Sequence, residues 1–216
     1  MSFPSQYASE VRKRRPRQDA ERTREQAIRA AVAQIADVGF HKMTLADVAK
    51  RTGISQSGLL HHFSSRAALL AAVLDQRERD DREFLFGDGQ VPLGWDAFEA
   101  LVSLAARNTT RPEWVGVFVR VASEATEADH PGHAWLLDHY DGARRWLTDA
   151  VEHGIRTGEI ASEAPTALIV GNTIAIQDGL QQQWLLSPDG VPLVRHLRQH
   201  VDGLRSVWER QPPKNQ

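Results

Sequence analysis

Residues 44–66, TLADVAKRTGISQSGLLHHFSSR, place hydroxyl, amide, imidazole and guanidinium side chains at a spacing suited to contact with a nucleic acid. Thr44 can N-cap a first short helix, with Asp47 at its third position as a weaker form of the capping box. Leu45, Val48 and Ala49 fall on one face of that helix. Gly53 supplies the positive φ that a sharp helix–helix turn needs, and Ser55 caps a second helix. Ala49, four residues before Gly53, is small enough for two helices to cross closely, and Leu59, six after it, faces the same small core. Those are the requirements of a helix-turn-helix, whose second helix enters the major groove of DNA.

Other chemistry is weaker. The run 53–58 carries glycines and serines but lacks the spacing and preceding strand of a nucleophile elbow. His130, His133, Asp138 and His139 are candidate metal ligands, as are His196 and His200 at i, i+4, but no carboxylate–histidine pattern of a zinc protease accompanies them. No metal, no cofactor and no catalysis are expected. The chain has no Cys, which excludes disulfides and thiolate chemistry. It has no apolar run long enough to span a bilayer and no secretory signal, so a cytoplasmic location and no membrane partner are expected.

These residues need elements to position them. Hydrophobic spacing at Ile28, Ala31, Val32 and Ile35 predicts a first helix ended by Gly39. Ser64 and Ser65 offer a cap for a fourth helix, apolar at Leu69, Leu70, Val73 and Leu74 and then charged over 76–83, as suits a solvated connector. A loop over 87–94 follows. Beyond it, five helices are read at about 95–107, 112–128, 133–156, 165–187 and 191–209, punctuated by Pro and Gly. No stretch alternates as a strand does. The fold class is all-α, with about nine helices. The expected division is a disordered basic arm at 1–16, the helix-turn-helix domain at 17–66, a helical domain at 67–210 and a tail at 211–216. Residues 1–66 hold 12 Lys/Arg against 6 Asp/Glu, whereas the whole chain is −2. A basic module on an acidic body is an electrostatic footprint for phosphate, and the arm at 12–17 either reaches an adjacent minor groove or is simply solvated.

The chain resembles the TetR (tetracycline-repressor-like) family of bacterial transcriptional regulators. The resemblance rests on Gly39-Phe40, Met43-Thr44-Leu45 through Val48-Ala49, Gly53-Ile54-Ser55, Leu59 through Phe63, Arg66 and Leu69-Leu70, and, further on, on Gly158-Glu159-Ile160 and Asp178-Gly179-Leu180. It implies a DNA-binding regulator, with Ser55, Gln56, Ser57 and Gly58 opening the recognition helix. There Gln56 can pair with adenine N6 and N7, a contact worth roughly 1–3 kcal/mol of discrimination. Thr44, His62 and Arg66 match phosphate-binding positions. Leu60 departs from the tyrosine of many relatives, so it either meets a thymine methyl or only packs, and His61 takes the exposed position beside it.

One such module reads few bases. Two of them about 34–36 Å apart read successive major grooves, which requires a homodimer on palindromic operator DNA. Leu193, Leu197, Val201, Leu204 and Trp208 form a stripe on the last helix, and Ala167, Gly171, Ala175 and Gly179 recur every four residues on the helix before it. The resemblance implies that these two helices pair with their copies; the alternative is that both stripes bury within one subunit. All six Trp lie after residue 94. Trp95, Phe98, Trp114, Phe118, Trp135, Trp146 and Trp184, with His139 and Gln177 as polar handles, are candidates to line an effector cavity. With no basic cluster among them, an apolar or aromatic small-molecule effector is preferred.

Overall fold

The computed structural model describes residues 5–87 and 89–210. Among them the chain folds into nine helices: α1 Ser5–Val38, α2 Leu45–Thr52, α3 Gln56–His62, α4 Arg66–Phe86, α5 Trp95–Thr109, α6 Pro112–Glu124, α7 His133–Thr157, α8 Thr166–Leu186 and α9 Leu193–Trp208. Extended pairing among the described residues is confined to one bridge, Ile160 with Glu209, which ties the end of α9 to the α7–α8 connection. No described helix is long and apolar enough to cross a membrane.

Capping chemistry sets the small helices. Thr44 Oγ1 accepts from the Asp47 N–H (3.1 Å), Ser55 Oγ from Gly58 N–H (3.0 Å) and Ser65 Oγ from Ala68 N–H (3.0 Å). The α2–α3 turn runs through Gly53 at φ +70°. Residues 5–16, expected to form an unstructured arm, are helical in α1 instead. Ala, Glu, Arg and Lys are good helix formers, and they carry α1 through Pro16 although a proline inside a helix removes one hydrogen bond and crowds the carbonyl four residues before it. Residues 1–4 and the tail at 211–216 lie outside the described residues.

Two cores result. The first joins α1, α2, α3 and the opening turns of α4, with Ile35, Met43, Val48, Leu59 and Leu69 buried, and continues into Val117, Phe118 and Val121 of α6. The second gathers α5, α7, α8 and α9 around Phe98, Leu147, Ile169 and Leu197, and takes Val115 from α6. Helix α6 therefore lies between the head and the body. Its approach to α1 is close: a side chain at Gly116 would meet Ala36 Cβ at 3.0 Å. Helix α4 runs from the head core into the body, so the expected boundary at residue 66 falls where α4 begins, before residues that the head core buries.

Candidate nucleic-acid interface and ligand cavity

The head presents one exposed surface built from α3 and the start of α2. Thr44, Ser55, Gln56, Ser57, Leu60 and His61 are exposed on it, and Gly58 and His62 are half-buried. The Gln56 amide stands free of the capping network, whereas Ser55 and Ser57 are linked to each other, Oγ to Oγ, at 3.0 Å. Gly58 has a second role that spacing did not reveal. A Cβ there would crowd Ser55 Oγ at 3.2 Å, so its absence protects the cap of α3. Leu60 is 42% exposed and makes no polar contact, leaving an apolar spot on the recognition helix.

Arg66 does not project freely toward a phosphate. Its Nη1 donates to the carbonyls of His41 (3.0 Å) and Met43 (3.2 Å), and its guanidinium lies 4.5 Å above the Phe40 ring. The reason is local: the α1–α2 turn leaves carbonyls without helical donors beside the first turn of α4. That turn is also gripped from the body. Glu124 Oε2, on α6, accepts from the backbone N–H groups of Phe40 (3.0 Å) and His41 (3.2 Å), and His130 packs edge-on against both rings. Gly39, at φ +81°, leaves the space that Glu124 Oε1 occupies.

His41, Glu124 and His130 bring one potential metal donor each within 4.8 Å of one another. Their bonding is set against a cation. The Gly132 N–H donates to His130 Nδ1 (3.0 Å), which leaves the proton on Nε2, the nitrogen facing Glu124 at 3.6 Å. A metal-bound imidazole needs the reverse arrangement. Burial lowers the His130 pKa, so the tautomer, and not a charge on the ring, is what turns it from a cation. The histidine groups expected as metal candidates disperse: His133 meets the Ala125 carbonyl, His139 faces Glu78, and His200 Nε2 donates to Thr173 Oγ1 (2.9 Å).

The body encloses a cavity of about 810 Å³ between α4, the 87–94 loop, α5, α6, α7 and α8. Of the expected lining residues, Phe118, His139, Trp146 and Gln177 line it. Trp146 sits edge-on to Phe86 at 5.3 Å and donates its Nε1–H to the Pro92 carbonyl (3.0 Å), which pins the loop over the cavity. The others do not line it. Trp95, Phe98 and Trp184 belong to the body core, Trp114 packs against the head-side core beneath Arg111, and Trp135 stacks behind His139.

The polar lining was largely missed. The charged run of α4 is not a solvated connector: Arg77 is 6% exposed, stacked 4.5 Å above Phe118 and 3.5 Å from Asp81. Asp81 also binds Arg107 (2.8 Å), and Asp80 binds Arg111 (2.7 Å), fastening α4 to α5 and the start of α6. Burial lowers the Arg77 pKa against the opposing pull of Asp81. Across the cavity, the Tyr140 hydroxyl donates to Asp178 Oδ2 (2.6 Å). Burial, then that bond, raises the Tyr140 pKa, and burial raises that of Asp178. Glu78 lies below its usual range because it bonds His139. A signal for this wall exists in the sequence: Leu70, Val73, Leu74, Arg77 and Asp81 keep one helical stripe that turns from apolar to ionic.

On α8, Ala167, Gly171 and Ala175 are exposed and Gly179 is half-buried, and Leu168 and Leu186 stand beside them at 64% and 80% exposure. The expected α9 stripe is different. Leu193, Leu197 and Val201 are buried within the subunit against α5 and α8, and Leu204 and Trp208 pack at the edge of the same core. The stripe fills the nearest apolar groove, leaving Gly203 and Val207 on the open side of α9.

An exposed helix-turn-helix head joined through α4 and α6 to a helical body that holds a cavity defines the class of helical DNA-binding proteins with a separate body domain. The family model for bacterial regulatory proteins of the tetR family matches residues 27–73, and that for the BetI-type transcriptional repressor C-terminal region matches residues 97–206. The chain is 31% identical over 199 residues to the HTH-type transcriptional regulator TtgR of Pseudomonas putida, covering 88% of this chain and 92% of that one. The probable regulator ArpR of Pseudomonas putida matches to the same extent. Among solved structures, the SmeT–triclosan complex superposes with a TM-score of 0.74 at 15% identity, covering 89% of this chain and 96% of that one. A transcriptional regulator from Saccharomonospora viridis in complex with choline gives 0.73 at 21%, covering 88% and 100%. The chain belongs to the TetR family of bacterial regulatory proteins, and it is a DNA-binding transcriptional regulator.

Proposed function

We propose that the protein is a homodimeric repressor that holds a palindromic operator through two α3 helices and releases it when a small molecule fills the body cavity. The observation that carries this reading is the double duty of α4. Its first turns are head core and bear Arg66, while its later turns supply Arg77, Glu78 and Asp81 to the cavity wall. A ligand that favours one position of α4 and α6 therefore biases the head through the same rigid element, and it shifts the equilibrium only by its differential affinity for the two positions.

For the dimer, the exposed face of α8 runs Leu168, Gly171, Ala175, Gln182 and Leu186 at helix-pairing spacing, beside Gly203 and Val207 of α9. Gly171 and Gly203 have nothing within 4 Å of a Cβ position, leaving room for a second copy to approach closely. No catalytic step is assigned to the chain.

The test is selection of genome fragments by the purified protein at near-physiological salt, followed by footprinting. Recovery of a short palindrome with half-sites about one helical turn apart, or a multiple of it, is the expected result. Equal recovery of scrambled fragments would instead favour a binder without sequence preference, and no enrichment would favour a sensor whose heads no longer read DNA.

A further inference from the structure

We infer that Glu124 fixes the attitude of the head on the body, and so acts as a positioning residue for the half-site spacing that the protein accepts in an operator. This rests on the homodimeric reading proposed above. Helix α4 runs through head and body, and Val117, Phe118 and Val121 of α6 enter the head core. Apolar packing of that kind is non-directional and lets two surfaces slide over one another. Hydrogen bonds, which depend on angle as well as distance, hold a register. The tolerance is narrow. One base pair is about 3.4 Å of rise and, at about 10.5 per turn, roughly 34° of rotation, so two heads hold to one spacing only if each keeps its place.

Three directed bonds from α6 converge on one stretch of backbone, residues 37–41 between α1 and α2. Glu124 Oε2 accepts the N–H groups of Phe40 (3.0 Å) and His41 (3.2 Å), and Arg120, one helical turn earlier, donates from Nη2 to the Asp37 carbonyl (3.2 Å). All three partners are main-chain atoms, so α6 grips the path of the chain and not a side chain that could swing away. The turn is shaped for the carboxylate. Gly39 has no Cβ where Glu124 Oε1 lies, and the His130 ring packs edge-on against Phe40 (5.1 Å) and His41 (5.5 Å). From the head, Arg66 Nη1 donates to the His41 and Met43 carbonyls. Arg66 opens α4, four residues after α3 ends at His62. The body therefore reaches the recognition helix through a short chain of directed bonds, from α6 to the turn to Arg66. Of the two α6 residues, Glu124 is half-buried and Arg120 exposed, so water competes less for Glu124.

The experiment is competition binding of the full chain to its selected palindrome and to versions with one base pair inserted or removed between the half-sites. Wild type is expected to lose about ten-fold or more in affinity for either altered spacing. In Glu124→Ala, verified as folded by circular dichroism, the three spacings should bind within about three-fold of one another. Discrimination against a mismatched half-site base should stay as in wild type. Glu124→Gln keeps one acceptor oxygen and should keep the spacing preference. A merely structural role would lower the affinity for all three spacings by one common factor. That result would overturn the assignment, as would a wild type indifferent to spacing. A second measurement needs no DNA. The chain has no Cys, so Lys50→Cys, exposed on α2, carries one spin label per head. The distance between the two labels in the dimer should spread more widely with Glu124→Ala than without it, and equal widths would overturn the assignment. A monomeric wild type, or one that recovers no palindrome, would overturn the dimeric reading and this one with it, and that failure shows in wild type before any variant is compared.

Discussion

Glu124, at the end of α6, accepts a hydrogen bond from the backbone N–H of Phe40 at 3.0 Å, and that bond joins the helical body to the helix-turn-helix head. The same oxygen takes the His41 N–H, so one carboxylate satisfies two donors of the turn between α1 and α2. Hydrogen bonds to a charged acceptor contribute more than neutral ones, roughly 1.5–3 kcal/mol when half-buried. Glu124→Ala should therefore lower unfolding stability by about 1.5–3 kcal/mol, and Glu124→Gln, which keeps one acceptor, by less. Urea unfolding of the three proteins measures this. Equal midpoints would show that the clasp contributes nothing to holding head and body together.

Two polar residues of the head should fail differently. Gln56 is exposed and uncommitted, so Gln56→Ala is expected to leave the melting temperature alone and relax base preference at one operator position, by about 1–3 kcal/mol. Arg66 is tied to the His41 and Met43 carbonyls and to the Phe40 ring. Arg66→Ala should lower the melting temperature and weaken binding to all sequences by one common factor. Competition binding against single-base operator variants separates the two. A change of sequence preference in Arg66→Ala would mean that the arginine reads a base.

Acid should loosen the same junction. His130 is buried against Glu124, His41 and the nearby Glu127, and burial holds its pKa below the ordinary 6.5. The unfolded chain takes up this proton as pH falls below about 6.5 while the folded chain does not. Stability is thus fully present above that value, declines as pH falls below it, and levels off once the folded pKa is passed. His200, lowered by burial in the same direction, adds to the decline. Melting temperature should be lower at pH 5.5 than at pH 7.5, and His130→Gln should show a smaller drop between the two. Identical drops in both proteins would remove His130 from the account.

How much of this was legible depends on the range over which each contact acts. The helix-turn-helix follows from local rules, since Thr44, Gly53, Ser55 and Leu59 meet partners within a few residues, and all behave as their spacing predicts. The nine helices follow from periodicity and from Pro and Gly punctuation. Which side of a helix faces the cavity does not. Phe98 and Phe118 both lie on apolar stripes, yet one fills the body core and the other walls the cavity, because periodicity reports burial and not what lies opposite. Leu193, Leu197 and Val201 show the same ambiguity between core and interface. Glu124 was invisible for another reason: its partners are 83 and 84 residues away, and a lone acid near a helix end carries no mark of them.

The proposed dimer face offers a substitution that separates folding from association. Gly171 is exposed on α8, and a Cβ there meets nothing within 4 Å inside the subunit. Within one chain, Gly171→Arg should be neutral or stabilising, since Gly costs a helix interior about 1 kcal/mol relative to good helix formers. Between two chains it places a long charged side chain where two helices must approach closely. Sedimentation should therefore shift the variant from dimer to monomer while its melting temperature at high dilution stays the same or rises. Operator affinity should fall by about a hundred-fold or more, because the second head no longer engages at the effective concentration that linkage to the first provides. A variant that remains dimeric and binds its operator normally would place the interface elsewhere, and the open side of α9 around Gly203 and Val207 would be the next surface to probe.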